Sequence, residues 1–180
     1  MMYTTESCRI RPATPEDATV LATWWADGKI MEHAGFPKGL NTNHVALKER
    51  LLVQSKMDTL WLIEQHDGHP IGEMHHRIKN AQAQIGIKLC VASTQGQGIG
   101  PDALKWLICY LFTQFDITEI VLDTMIENTR AQKVYERLHF QKVNLLKECW
   151  QDQLGRMRTA IVYRLSRHDF LQHASTYCQS

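Results

Sequence analysis

Long apolar runs are missing from this chain of 180 residues. No stretch approaches the ~20 consecutive apolar residues that a bilayer crossing needs, and the polar start Thr4-Thr5-Glu6-Ser7 lacks the apolar core of a secretion signal. Neither a signal nor a membrane span is expected. An excess of one charge is missing too: 20 Lys and Arg face 19 Asp and Glu, for a net charge of +1. With so weak an overall field, nucleic acid and membrane are not expected partners, and a charged ligand must be held locally. Cysteines are few and dispersed, at Cys8, Cys90, Cys109, Cys149 and Cys178. Their spacing offers neither a zinc site nor a redox pair, so no metal is expected and a reducing, cytoplasmic setting fits. His66 with His69 and His75 with His76 add only weak metal-binding patterns. Repeats, low-complexity tracts and linkers are also lacking. We expect one domain over 1–180, with its core at about 9–165, a peripheral tail over 166–180 and a monomeric or homodimeric state.

The apolar pattern lays out the elements. Cys8 to Arg11 reads as a short strand, and Thr14-Pro15 opens a helix reaching about Asp27. Gly28, Gly35, Pro37 and Gly39 break the chain into a loop before Asn43 caps a second helix. Thr59–His66 and Pro70–Ile78 form a hairpin about Asp67-Gly68, and after a turn near Asn80 the alternating Gln84–Val91 adds a third antiparallel strand. The pattern then changes to a helix over Pro101–Phe115, a strand over Glu119–Asp123 and a helix over Asn128–Leu138. Two strands, Phe140–Trp150 and Met157–Leu165, close the series. This order predicts an α+β fold: a mixed, mostly antiparallel sheet with helices on both faces.

Gln95-Gly96-Gln97-Gly98-Ile99-Gly100 lies between a strand and a helix, where backbone amides and the helix dipole converge on one point. That is the chemistry of an anion site, although glycine clusters also serve as plain turns. Pro101 suits the first helical turn because its missing amide hydrogen would have no partner there. A nucleotide-triphosphate loop is disfavoured, since Pro101-Asp102 follows Gly100 in place of lysine and a hydroxyl residue. A Rossmann turn is disfavoured because Pro101 takes the third glycine's place and the preceding strands are antiparallel.

Gln95, Gly98 and Gly100 fit the cofactor motif of the GNAT superfamily of N-acetyltransferases: Gln or Arg, two residues, Gly, one residue, then Gly or Ala. Asn128 to Phe140 resembles the family's second motif, with His139 where glycine is usual. The likeness spans roughly Arg9 to Leu165 in element order. It implies acetyl-CoA as co-substrate, held by Leu89, Cys90, Val91, the whole turn from Gln95 through Gly96, Gln97, Gly98 and Ile99 to Gly100, Asn128 and Tyr135. Arg130, Lys133 and Arg137 follow helical spacing and read either as a stripe towards the cofactor phosphates, with Arg130 the candidate, or as a solvated basic face. A backbone amide within Leu89–Ala92 would polarise the thioester carbonyl. Tyr135 matches the family's general acid for the departing thiolate. By composition alone, Tyr135 reads as a core tyrosine and Asn128 as a helix cap.

The acceptor amine must attack as the free base, so a proton acceptor is needed. Glu73 is the first candidate. His75 on the same strand face, Glu32 and His33 in the loop between the first helices, and Asp123 at a strand end are candidate acceptor-site residues. Leu21 to Glu32 looks like the entry segment of Rim-type ribosomal-protein N-terminal acetyltransferases and of aminoglycoside 6'-N-acetyltransferases. Val121-Leu122-Asp123 with Asn128 and Arg130-Ala131 leans towards the aminoglycoside group. Lys29 and Lys38 against Glu32 in the loop lean away from a polycationic acceptor. The Rim-like reading stands ahead, with the acceptor unassigned. A non-catalytic acetyl-CoA-binding module is the alternative of another class.

Overall fold

Apolar alternation on the strands sorts side chains to two faces, and each face receives its own helices. The computed structural model describes residues 2–178. Strands β1 (Tyr3–Thr4), β2 (Arg9–Pro12), β3 (Asp58–Glu64), β4 (Pro70–Lys79) and β5 (Gln82–Leu89) form an antiparallel series. β6 (Glu119–Met125) then joins β5 in parallel, and β8 (Met157–Ser166) lies between β6 and the edge strand β7 (Gln141–Gln151). The mixed, mostly antiparallel sheet agrees with the expected architecture.

Helices α1 (Ala18–Ala26), the short α2 (Gly28–Met31) and α3 (His44–Leu52) precede β3. Leu21, Ala22, Trp24, Leu47 and Leu51 of α1 and α3 bury Leu60 and Leu62 of β3. The long helix α4 (Ile99–Gln114) carries Ala103, Leu104, Leu107, Ile108 and Leu111 onto the opposite face, against Ile63, Met74, Ile85, Ile120 and Tyr163. That larger cluster also holds Tyr135 and Leu138, from α5 (Thr129–Arg137) and its end. Among the described residues, no helix is long and apolar enough to cross a membrane.

The C-terminal segment corrects the sequence reading. Residues beyond Ser166 form α6 (Arg167–Gln172) and α7 (Ala174–Tyr177), and their Phe170 and Tyr177 are buried in the main core. Phe170 stacks on Phe112 at 4.5 Å between ring centroids, and the Tyr177 hydroxyl donates to the Leu138 carbonyl at 2.7 Å. A disulfide joins Cys178 to Cys109 of α4, with the Cα atoms 5.4 Å apart. Two isolated aromatic residues carry this docking, and the paired cysteines lie 69 residues apart, so spacing gave no hint of it. Gln179 and Ser180 of the expected tail lie outside the described residues.

His139 stands where the resemblance leads one to expect glycine. It holds a left-handed conformation, φ +61, and its ring stacks on His173 at 3.7 Å. The helix end therefore keeps a glycine-like backbone, with the stack to offset the cost of a side chain there.

Candidate active site

The β5–β6 pairing is short. Gln82, Ala83 and Gln84 pair with Glu119, Ile120 and Val121, and beyond them the two strands part. A cleft of about 1230 Å³ opens there, lined by the far half of β5, the end of β6, the glycine turn and the inward side of α5. Cys90 N–H bonds to Ile71 O across the β4 edge. The antiparallel alternation then turns the amides of Ile87 and Leu89, past the last β6 pairing at Gln84, to the other edge of β5 and towards the cleft.

At one end of the cleft the backbone is built for an anion. Gly96 and Gly98 take φ +83 and +85, conformations that cost a side chain dearly. The turn's hydrogen bonds use the amides of Thr94, Gln95 and Asp102 and supply no acceptor for those of Gly96 to Gly100 among the described residues. Helix α4 starts at once, so its dipole adds to these donors. Gln95 braces the turn by donating to Leu89 O at 3.0 Å while accepting from Arg130 Nη1 at 3.1 Å. Arg130 thus stands at the turn, and Lys133 and Arg137 of the same helix also line the cleft. Asn128 caps α5 by accepting from Ala131 N–H at 3.2 Å while lining the cleft.

Tyr135 is buried, with its ring edge-on to Tyr163 at 5.5 Å and tilted against Phe140 at 6.1 Å. Burial first, then the nearby negative charge of Asp123 and the Tyr163 hydroxyl, push its phenol up to about 12. The hydroxyl therefore keeps its proton through neutral pH.

On the α1 and α2 side of the sheet, Glu73 faces Lys88 directly across β4 and β5. Lys88 Nζ lies 2.9 Å from Glu73 Oε1, which also accepts the Trp25 indole N–H at 2.9 Å. Oε2 of Glu73 is buried without a hydrogen-bond partner among the described residues. His75 follows on the same face and opens into the cleft, where the surrounding protein lowers its pKa from 6.5 against the opposing pull of Glu73.

The fold thus brings Glu73, His75, Leu89, Gln95, Gly96, Gly98, Gly100, Asp123, Asn128, Arg130, Tyr135 and His33 to one cleft. Cys90, Val91, Gln97, Ile99 and Glu32 do not line it. The amides of Cys90 and Val91 are both spent on Ile71 O, Ile99 is buried in the core, and the Gln97 side chain turns back to Ser93 O. Lys88, Trp25 and Trp150 escaped the sequence reading. Lys88 could have been found, because a two-residue turn at Asn80-Ala81 sets 79 against 82 and hence 73 against 88. Trp25 and Trp150 reach the site through tertiary folding and left no local pattern.

A family model described as an acetyltransferase (GNAT) domain matches residues 8–141. An uncharacterized N-acetyltransferase p20 from Bacillus licheniformis is 24% identical over 173 residues, covering 92% of this chain and 96% of its own. Among solved structures, the fold is similar to RimL, a ribosomal L7/L12 alpha-N-protein acetyltransferase in complex with coenzyme A. The TM-score is 0.80 at 20% identity, covering 94% of this chain and 99% of that one. It is likewise similar to spermidine N-acetyltransferase from Vibrio cholerae in complex with CoA and spermine, with TM-score 0.81, 19% identity, and 92% and 98% of the two chains covered. Because the family match runs from Cys8 to Gln141, through the glycine turn and Tyr135, the chain belongs to the GNAT family and is an N-acetyltransferase.

Proposed function

We propose that the protein moves the acetyl group of acetyl-CoA to a primary amine by direct attack within a ternary complex. The observation that carries this reading is the parting of β5 from β6, with an anion cradle at one end of the gap and Tyr135 and Glu73 along its walls. Acetyl-CoA supplies an acyl group already activated as a thioester. The amides of Gly96 to Gly100, the start of α4 and Arg130 suit its pyrophosphate. The outward amides of Ile87 and Leu89 suit an amide-bearing arm laid beside β5 as a further strand. One of them donates to the thioester oxygen, a contribution of ~3 kcal/mol when the donor is preorganised in a dry site.

Tyr135 donates to the sulfur. A water-exposed thiol titrates near ~8.5, too low to draw a proton from a phenol near 12. Burial raises a thiolate's basicity, as it does for the Cys90 thiol of this chain. In a dry cleft the gap between phenol and departing thiolate therefore narrows, which favours general acid catalysis.

Along the cleft, Lys29, Lys88, Arg130, Lys133 and Arg137 outnumber Glu73, Asp123 and Glu127. Arg130 serves the pyrophosphate and Lys88 is paired with Glu73, so what leans from an aminoglycoside towards a peptide α-amine or small amine is the entry loop, with Lys29 and Lys38 against Glu32. Purified protein given acetyl-CoA and an amine panel should release free thiol. Tyr135→Phe keeps the ring packing and should lower kcat by about 10²–10⁴ while leaving acetyl-CoA affinity within a few-fold. Failure to bind acetyl-CoA would sink the proposal. Tight binding without turnover on peptide, polyamine and aminoglycoside acceptors would identify a non-catalytic binding module instead.

A further inference from the structure

We infer that His75 is the proton acceptor for the attacking amine, laid over Gly86 with Glu73 beside it to hold the ammonium. The inference rests on the acetyl-transfer reading above and fills its acceptor side. Side-chain alternation puts Glu73, His75 and Arg77 on one face of β4, opposite Lys88, Gly86 and Gln84 of β5. A side chain at 86 would occupy the space of the imidazole: a Cβ built there lies 2.3 Å from His75 Cε1 and 2.9 Å from Nδ1. The missing side chain leaves a hollow in the cleft wall, and the ring fills it.

The neighbouring histidine is the contrast. His76 is buried with both nitrogens committed, Nδ1 accepting from Trp61 Nε1–H at 2.9 Å and Nε2 donating to Lys56 O at 3.0 Å. No hydrogen bond engages the His75 ring among the described residues. Glu73 lines the cleft with its charge fixed in place, Lys88 and Trp25 both holding Oε1 while Oε2 is buried without a partner among the described residues, so it can attract an ammonium beside His75 through its charge. An imidazole near ~6.5 is also the closer match to an α-ammonium near ~7.8 than a carboxylate near ~4.3.

The charges facing His75 come from several elements. They are Glu73 and Arg77 on its own strand, Lys88 on β5, Asp58 on β3 and Arg50 on α3, with Lys29, His33 and Asp123 around the cleft. The ring is exposed to the cleft, and the walls around it, against the pull of Glu73 and Asp58, set its pKa on the low side of the ordinary 6.5. In the step, the ammonium held by Glu73 passes one proton to His75, which later gives it to water. The amine nitrogen bonds to the carbonyl carbon as the C–S bond breaks, and Tyr135 protonates the sulfur. The second nitrogen proton is lost as the amide forms and restores the Tyr135 hydroxyl. A base of this strength serves an α-amine near ~7.8 and not a lysine side chain near ~10.4.

The test is kcat/KM against pH for a lysine-free peptide with a free N-terminus, with acetyl-CoA affinity measured separately by calorimetry. The wild-type profile should rise through a group below 6.5 and then level. His75→Gln should lose about 5- to 10-fold at pH 7, where only about one in seven of the amines near ~7.8 is free base, and approach the wild type above pH ~9, where the amine sheds its own proton, with acetyl-CoA affinity unchanged. Gly86→Ala, which evicts the ring, should reproduce this profile. An unaltered profile in His75→Gln, or an equal loss at every pH, would overturn the assignment while leaving acetyl transfer intact. A wild type that binds acetyl-CoA and acetylates nothing would overturn both.

Discussion

Replacing Gly100 with alanine should strengthen the fold and weaken cofactor binding, and the opposite signs make the substitution diagnostic. Gly100 sits in the first turn of α4 without a positive φ, and an added Cβ meets Leu89 Cδ1 at an ordinary 3.7 Å. Neither backbone angle nor packing demands glycine there. Alanine is favoured over glycine by up to ~1 kcal/mol inside a helix and by roughly half that in a first turn, so Tm should rise by about 1–2 °C. The same methyl enters the cleft wall beside amides that must approach a phosphate oxygen to about 2.9 Å. Acetyl-CoA affinity should fall at least tenfold, or about 1.4 kcal/mol. Gly98→Ala is the control: its Cβ meets nothing within 4 Å, but φ +85 makes it strained, costing about 1–2 kcal/mol and lowering Tm. Thermal melts and calorimetric titration with acetyl-CoA read both quantities. Wild-type affinity in Gly100→Ala would refute the assignment of the turn to the pyrophosphate.

The acid limb of stability should carry a histidine contribution. Burial, outweighing the bond to the Lys56 carbonyl and the Asp58 charge, holds His76 below its ordinary 6.5, so the unfolded chain binds protons first. The stabilisation is full above pH 6.5 and is lost as pH falls through 6.5 towards the folded value, at up to ~1.4 kcal/mol per pH unit. His76→Gln should flatten this slope in urea midpoints between pH 8 and 5, partly, because His75 and His139 are lowered too. An identical slope in the variant would refute the contribution. Reducing Cys109–Cys178 opens a cross-link over 69 residues and should cost up to about 4 kcal/mol. Cys109→Ser with Cys178→Ser should match the reduced wild type in denaturant midpoint, and a loss below ~1 kcal/mol would show that packing alone docks the tail.

Local signals in the sequence carried most of the fold. Asp67-Gly68 and Asn80-Ala81 set the hairpins, and Asn43 and Asn128 mark helix starts where their side chains do accept backbone N–H bonds. Boundaries moved by a residue or two for specific reasons. The expected strand to Val91 ends at Leu89 because the next two amides converge on one carbonyl, Ile71 O. The glycine turn, Asn128, Arg130 and Tyr135 were legible because their motifs are contiguous. The acceptor side was less so. Trp25, Glu73 and Lys88 lie on three elements and meet only after α1 docks on the sheet. The tail was misread because Phe170 and Tyr177 look like lone aromatics until α4 presents Phe112 to them.

The parting of β5 and β6 makes the sheet two panels. β1 to β5 and β6 to β8 share a ladder only over 82–84 and 119–121, and α4 bridges them on one side. Acetyl-CoA bound along that seam as proposed would act as a splint, completing one panel's edge with its phosphates at the start of the bridging helix. Occupancy then stiffens the whole chain by mass action, ~2.7 kcal/mol at a hundred times Kd. The amides of Ile87 and Leu89 are where hydrogen exchange should slow most as the splint goes in.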